Sequence, residues 1–299
     1  MANRFNFKEH FEKAAPNEIS TNQLLFTYKG VLFPSASTSE KTLEVLQLFE
    51  ARKDDLVLMA YPKCGSNWTI QLLEDMVHAV YKKDPPAMIP ILEFGTPEKY
   101  QKLQEESSPR IIATHLHYDS MPKSLLNKET KKLVVIRNPK DTAVSLFHFY
   151  NNNPRLPSYS SFDSFFPDFL NGNVCFGSYF DHAVAWNEQL DNDNILLMTF
   201  EEMKADLEAA IKKIADFFCY PLTEEQVKNL ADRGSFKSMK EKSIDTHGKM
   251  GHVFFRKGEV GDWKNYFSEE QSQTMDAKFE ECLAGTKLGD LLMYDMFCK

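Results

Sequence analysis

The chain has 299 residues, 26% charged and 42% hydrophobic, with 35 Lys and Arg against 43 Asp and Glu and a formal net charge of −8. This length suits one large α/β domain or two small ones, with one domain expected over 1–299, and the acidic balance argues against non-specific nucleic-acid binding, which needs a basic face. No apolar run approaches the roughly 20 residues that span a bilayer, and Met1 to Ser20, charged and broken by Pro16, does not read as a secretory signal.

Five widely spaced cysteines (Cys64, Cys175, Cys219, Cys282 and Cys298) with no C-x-x-C give neither a disulfide framework nor a zinc site, so the cytosol is the expected compartment. In chain order the pattern predicts a helix over Glu40 to Phe49, a buried strand over Leu56 to Ala60 and a helix over Trp68 to Tyr81. Strands follow over Arg110 to Thr114 and Lys132 to Ile136, then helices over Pro139 to Tyr150 and Tyr179 to Leu190. A last strand over Ile195 to Phe200 precedes a helix over Lys204 to Phe218. Short, nearly continuous apolar runs are strands covered on both faces. Strands alternating with helices mean crossover units and a central parallel sheet flanked by helices, with ligands beyond the strands' carboxyl ends. Asn151 to Ser161 and Lys240 to His252 read as long loops, of the kind that form lids or pocket walls.

Three elements carry anion-binding chemistry. Tyr61-Pro62-Lys63-Cys64-Gly65-Ser66-Asn67-Trp68 leads from a strand into a helix, aiming unpaired backbone N–H groups and the positive helix end at one point. Lys63 adds charge there, and Ser66 and Asn67 add donors. Lys63 precedes the only glycine, so the triphosphate pattern G-x-x-x-x-G-K-[ST] is not met. Arg137-Asn138-Pro139-Lys140-Asp141 follows the third strand, with Ser145 about two turns into the next helix. Arg offers a planar fork suited to phosphate, and Pro139 suits a first helical turn. Arg256-Lys257-Gly258-Glu259-Val260-Gly261-Asp262-Trp263-Lys264 joins two cations to a Gly-x-x-Gly loop that would close over a phosphate. Taken singly, each also reads as a strand-to-helix turn, a capping arginine or a solvated basic turn. His115, in Ala113-Thr114-His115-Leu116-His117, is a side chain able to take a proton near neutrality. Alone it is more often a hydrogen-bonded structural residue. His115-x-His117 lacks a carboxylate or cysteine to complete a metal set.

Together, in this order and spacing, the motifs resemble the cytosolic sulfotransferases over nearly the whole chain, and Ala-Thr-His with Lys-Gly-Glu-Val-Gly-Asp-Trp-Lys is most similar to the vertebrate 6B type. The resemblance implies a P-loop-nucleotide-hydrolase-like sulfotransferase fold and 3′-phosphoadenosine 5′-phosphosulfate (PAPS) as co-substrate, with no metal. It assigns Lys63, Cys64, Gly65, Ser66, Asn67 and Trp68 to the 5′-phosphosulfate, with Trp68 also near the adenine. Arg137, Ser145, Arg256, Lys257 and Gly258 would hold the 3′-phosphate, and Phe200, Gly234, Ser235, Phe236 and Met239 the adenine side. His115 would be the base and Lys63 the cation at the reacting group. The partner implied is a small apolar hydroxylated acceptor, a phenol or an iodothyronine such as thyroxine, with Phe149, Phe165, Phe166 and the Lys240 to His252 loop as pocket walls. Three positions depart from the family: Ala113 replaces a lysine that touches the transferring group, Phe200 replaces a tyrosine, and Lys264 to Gln273 lacks the Thr-Val and terminal Glu of the dimer motif, leaving a homodimer open. Ala113 supports an alternative, a weakly active or inactive nucleotide- or hormone-binding protein of the same fold. A nucleotide kinase of related fold is disfavoured by the lysine placement.

Overall fold

The computed structural model describes residues 24–84, 90–127 and 129–299; for 246, 247 and 249 only the backbone is described. The reading of Met1 to Ser20 therefore lies outside the described residues. A hairpin of β1 (Leu25–Tyr28) and β2 (Val31–Pro34) comes first, turning through Lys29 (φ 49°) and Gly30 (φ 82°). Two left-handed central residues match the twist of paired strands. The Lys-Gly step between alternating apolar residues was its sequence signal, though no element was expected there.

The central sheet comprises β3 (Leu56–Ala60), β4 (Ile111–Thr114), β5 (Lys132–Ile136) and β6 (Ile195–Thr199), all parallel in the order β4-β3-β5-β6. Every residue of β3, β4 and β5 is buried, which is why these strands are continuous apolar runs instead of alternating ones. The chain runs from β3 to β4 on one side and then to β5 on the other, and this reversal opens a crevice at the carboxyl ends of β3 and β5.

Among the helices are α1 (Glu40–Leu46), α2 (Ser66–Tyr81), α3 (Pro139–Asn152), α4 (Phe162–Leu170), α5 (Tyr179–Asn187), α6 (Phe200–Ala205), α7 (Leu207–Phe218), α8 (Glu224–Gly234), α9 (Phe236–His247) and α10 (Gly251–Phe254). Leu72, Leu73, Met76 and Val77 of α2 and Ile211, Ile214 and Phe218 of α7 bury the apolar faces read from the sequence in one core with the sheet. Several boundaries move. The helix expected from Lys204 divides at Asp206, whose backbone leaves helical space (φ −146°) and whose carboxylate caps α7 through the Ala209 N–H. Phe200 leaves its strand to open α6, because Thr199 caps that helix through the Glu202 N–H. Arg110 sits outside β4, paired with Asp55 at 2.8 and 2.6 Å and wholly buried. Lys240 to His252 is not a loop: α9 runs into a short 3-10 turn, Gly248–Met250, and α10. Its polar composition reflects a solvated helix face, and Ser235, the N-cap of α9, was the missed signal.

Candidate active site

Beyond β3 the chain coils tightly. Lys63 (φ 71°) and Gly65 (φ 110°) both lie in the left-handed region, and Gly65 is the N-cap of α2 with no side-chain cap bond. The N-cap side chain that usually satisfies a first-turn amide is therefore missing here. A Cβ on Gly65 would lie 3.2 Å from the Phe200 ring, so the loop can rest on that ring only with glycine. Ser66 Oγ is buried without a partner. Lys63 Nζ lies 4.4 Å from the Phe149 ring centre and 5.8 Å from that of Phe254. Burial, then the charges of Arg137 and Arg256, push this lysine down to about 7. Cys64 turns away: it is buried, its Sγ 3.8 Å from Thr142 Oγ1, and burial pushes its thiol up to about 12. Its side chain belongs to the core.

Arg137 extends from β5 over the Phe200 ring, 4.3 Å from guanidinium carbon to ring centre, and donates to the Glu259 carbonyl at 2.7 Å. Its Nε is buried and unpartnered. Asn138 caps α3, its Oδ1 accepting from the Asp141 N–H at 2.8 Å. Asp141 then accepts from the N–H groups of Gly261 (2.7 Å) and Trp263 (3.0 Å). This buried carboxylate ties the Arg256–Trp263 loop to the start of α3, a role that sequence reasoning missed although Asp141 closes the Arg-Asn-Pro-Lys-Asp motif. Within the loop Asp262 bridges Arg256 (2.5 Å) and Lys257 (2.6 Å). Burial would raise its carboxyl, but the hydrogen bonds from Lys257, Arg256 and Asn265 win and hold it near 2. Gly258 (φ 65°) is packed so closely on Phe236 that a Cβ would sit 2.1 Å from the ring.

His115 follows β4. Its backbone N–H donates to Glu93 Oε1 at 2.8 Å, and Glu93 Oε2 accepts from the Thr114 hydroxyl at 2.8 Å. Its Nδ1 lies 2.7 Å from the Ala60 carbonyl. A carbonyl only accepts, so Nδ1 carries a proton and Nε2 of the neutral ring is a bare lone pair. Phe94 and Phe176 meet the ring edge-on, at 6.2 and 5.3 Å between centres. Ala113, one strand residue earlier, is buried, its N–H and carbonyl bound to Pro90 and Leu92.

These parts line one cavity of about 170 Å³. Lys63, Gly65, Ser66, Asn67, Trp68, His115, Arg137, Ser145, Phe200, Phe236, Met239, Arg256, Lys257 and Gly258 all reach it. Gly234 and Ser235 stand behind the wall: the Gly234 carbonyl accepts from the Trp68 indole N–H at 2.8 Å, and Ser235 caps α9. The apolar side comprises Ile91, Phe94, Phe149, Phe176, Phe254 and Phe255. Phe165 and Phe166, expected there, are core residues packed with Phe162. Among the described side chains, none of the predicted wall segment Lys240 to His252 lines the cavity; its flanks Met239, Phe254 and Phe255 do. Ile91, Phe94 and Phe176 lie on irregular segments without periodicity, so nothing in the sequence announced them. Among the described residues, no three or more His, Cys, Asp or Glu gather as a metal set, and no helix is long and apolar enough to cross a membrane.

A sulfotransferase-domain model matches residues 53–287, and the chain belongs to the sulfotransferase family. Within that family it is of the 6B type: it is 48% identical over 302 residues to Sulfotransferase 6B1 of Homo sapiens, with all of both chains covered. Identity to Sulfotransferase 6B1 of Danio rerio is 45%, over 98% of this chain and 99% of that one. Among solved structures, mouse sulfotransferase SULT7A1 complexed with PAP superposes with a TM-score of 0.82 at 35% identity, covering 90% of this chain and 99% of that chain. The protein is thus an enzyme, a PAPS-dependent sulfotransferase.

Proposed function

We propose that the cavity transfers the sulfuryl group of PAPS to the hydroxyl of a small apolar acceptor of the phenol class, iodothyronines included. The observation that carries this reading is that one cavity joins the cations Lys63, Arg137, Arg256 and Lys257 to a set of aromatic rings, with His115 against Phe94 and Phe176. The donor fits the residues present: Ser66 Oγ and Arg137 Nε are buried donors without protein partners, and glycine at 258 lets the basic loop's backbone close directly on the Phe236 ring. Lys63 and the α2 amides would hold the phosphosulfate, Arg137, Ser145 and the Arg256–Gly258 loop the 3′-phosphate, and Trp68, Phe200, Phe236 and Met239 the adenine. His115 Nε2 takes the acceptor's proton while Lys63 and the amides stabilise charge gathering on the leaving oxygen. The Ala60 carbonyl keeps the ring oriented.

Incubation with labelled PAPS and a panel of phenols, alcohols and amines tests this reading; transfer to the alcohols or amines and not the phenols would sink the acceptor class. The buried methyl of Ala113 favours a second reading, a binder with little turnover, and PAP binding without transfer to any acceptor would support it. Replacing Arg256 with alanine is expected to weaken PAP binding by about 1.5–3 kcal/mol, the range for a charge-assisted hydrogen bond, with acceptor KM unaltered. An unchanged calorimetric Kd would remove Arg256 from the site.

Lys63 gives a pH signature. An anion beside it favours its charged form, so donor binding raises its pKa from about 7. Affinity for PAP is therefore level where Lys63 is already protonated and falls as pH rises above about 7. Binding at pH 8 takes up close to one proton, measurable by calorimetry in buffers of different ionisation enthalpy. The uptake should vanish in Lys63→Met, and zero uptake in the wild type would refute the coupling.

A further inference from the structure

His117 has no part in the chemistry above, yet it grips the cavity wall. Phe176, whose ring faces His115 at 5.3 Å, has a left-handed backbone (φ 68°), followed by Gly177 at φ 73°. A non-glycine residue stays in that region only when its surroundings over-determine it. Here four hydrogen bonds do so. The Phe176 N–H donates to the Leu32 carbonyl at 2.9 Å, and the Gly177 N–H to the Val174 carbonyl at 3.0 Å. The Tyr61 hydroxyl donates to the Gly177 carbonyl at 2.8 Å, and His117 Nε2 donates to the Phe176 carbonyl at 2.6 Å. Gly177 leaves room for this last bond, since a Cβ would stand 3.1 Å from His117 Nε2. Burial holds the His117 ring below its ordinary pKa, and because a carbonyl only accepts, the proton of this bond is on Nε2. Tyr61 lies two residues before Lys63 and His117 two after His115, so the segments bearing both reacting side chains clamp the same turn.

We propose that His117 is a positioning residue for the acceptor: by holding the Phe176 carbonyl it fixes the Phe176 ring against His115, and so the wall along which the acceptor hydroxyl reaches the base. This rests on the transfer reading above. Three variants test it, with steady-state transfer to a phenol and calorimetry with PAP. His117→Leu should raise acceptor KM about tenfold, the scale of a buried carbonyl left unpaired, with the PAP Kd unchanged. His117→Gln, whose amide nitrogen reaches the place of Nε2, should recover most of the loss. Combining His117→Leu with Phe176→Ala should cost no more than Phe176→Ala alone, because both act through one ring. Should the leucine variant not fold, His117→Asn against His117→Gln makes the same comparison, since the asparagine amide is too short to reach. An unaltered KM, equal losses in the glutamine and leucine (or asparagine) variants, or multiplied losses in the double variant would overturn this inference alone. A wild-type protein that transfers nothing would overturn the transfer reading with it.

Discussion

Replacing His115 with alanine is expected to reduce single-turnover sulfuryl transfer by about two to four powers of ten, the usual worth of a positioned acid–base group. PAP affinity should stay nearly intact. The imidazole is held by Phe94, Phe176 and the Ala60 carbonyl, none of which belongs to the Arg256–Gly258 loop. His115→Asn sharpens the test, because its amide can keep a donor near the Nδ1 position while losing the Nε2 lone pair. That variant should fold, bind PAP and fall as far as alanine. A folded asparagine variant that transfers at the wild-type rate would rule out His115 as the base.

The second large effect belongs to Lys63. Lys63→Met keeps length and apolar contact with Phe149 and Phe254 but removes the charge. Transfer should fall by about a hundredfold or more, the cost of deleting one donor aimed at a developing oxyanion. The drop in transfer rate should exceed the drop in PAPS affinity, because the bridging oxygen gains negative charge between bound PAPS and the transition state. Equal losses in both would mean that Lys63 only helps to bind the donor.

The strands of the central sheet could be read closely because burial on both faces leaves a run of apolar residues with no alternation to misphase. β3 and β5 fall at the expected ends, and β4 and β6 differ by one residue. The cation side of the cavity was equally legible, since Lys63, Arg137 and Arg256 are each embedded in local turn chemistry. Phe94 and Phe176 were not: each is placed by long-range contacts, Phe176 by bonds from His117 and to Leu32. Lys240 to His252 was misread because polarity was taken for a loop where a helix presents one wet face. The two rings of the H-x-H pair are each held by a different backbone carbonyl, Ala60 for His115 and Phe176 for His117.

The Phe200 ring touches three things at once: the Gly65 turn, the Trp68 indole at 5.4 Å between ring centres, and the Arg137 guanidinium. It acts as a common bearing on which the exits of β3, β5 and β6 rest. Those exits cannot drift independently, so the spacing of the site's cations is a collective property of the sheet end. Retuning the enzyme toward another nucleotide donor would therefore mean re-cutting this bearing and refitting all three exits together, and a change confined to one loop would work against the other two.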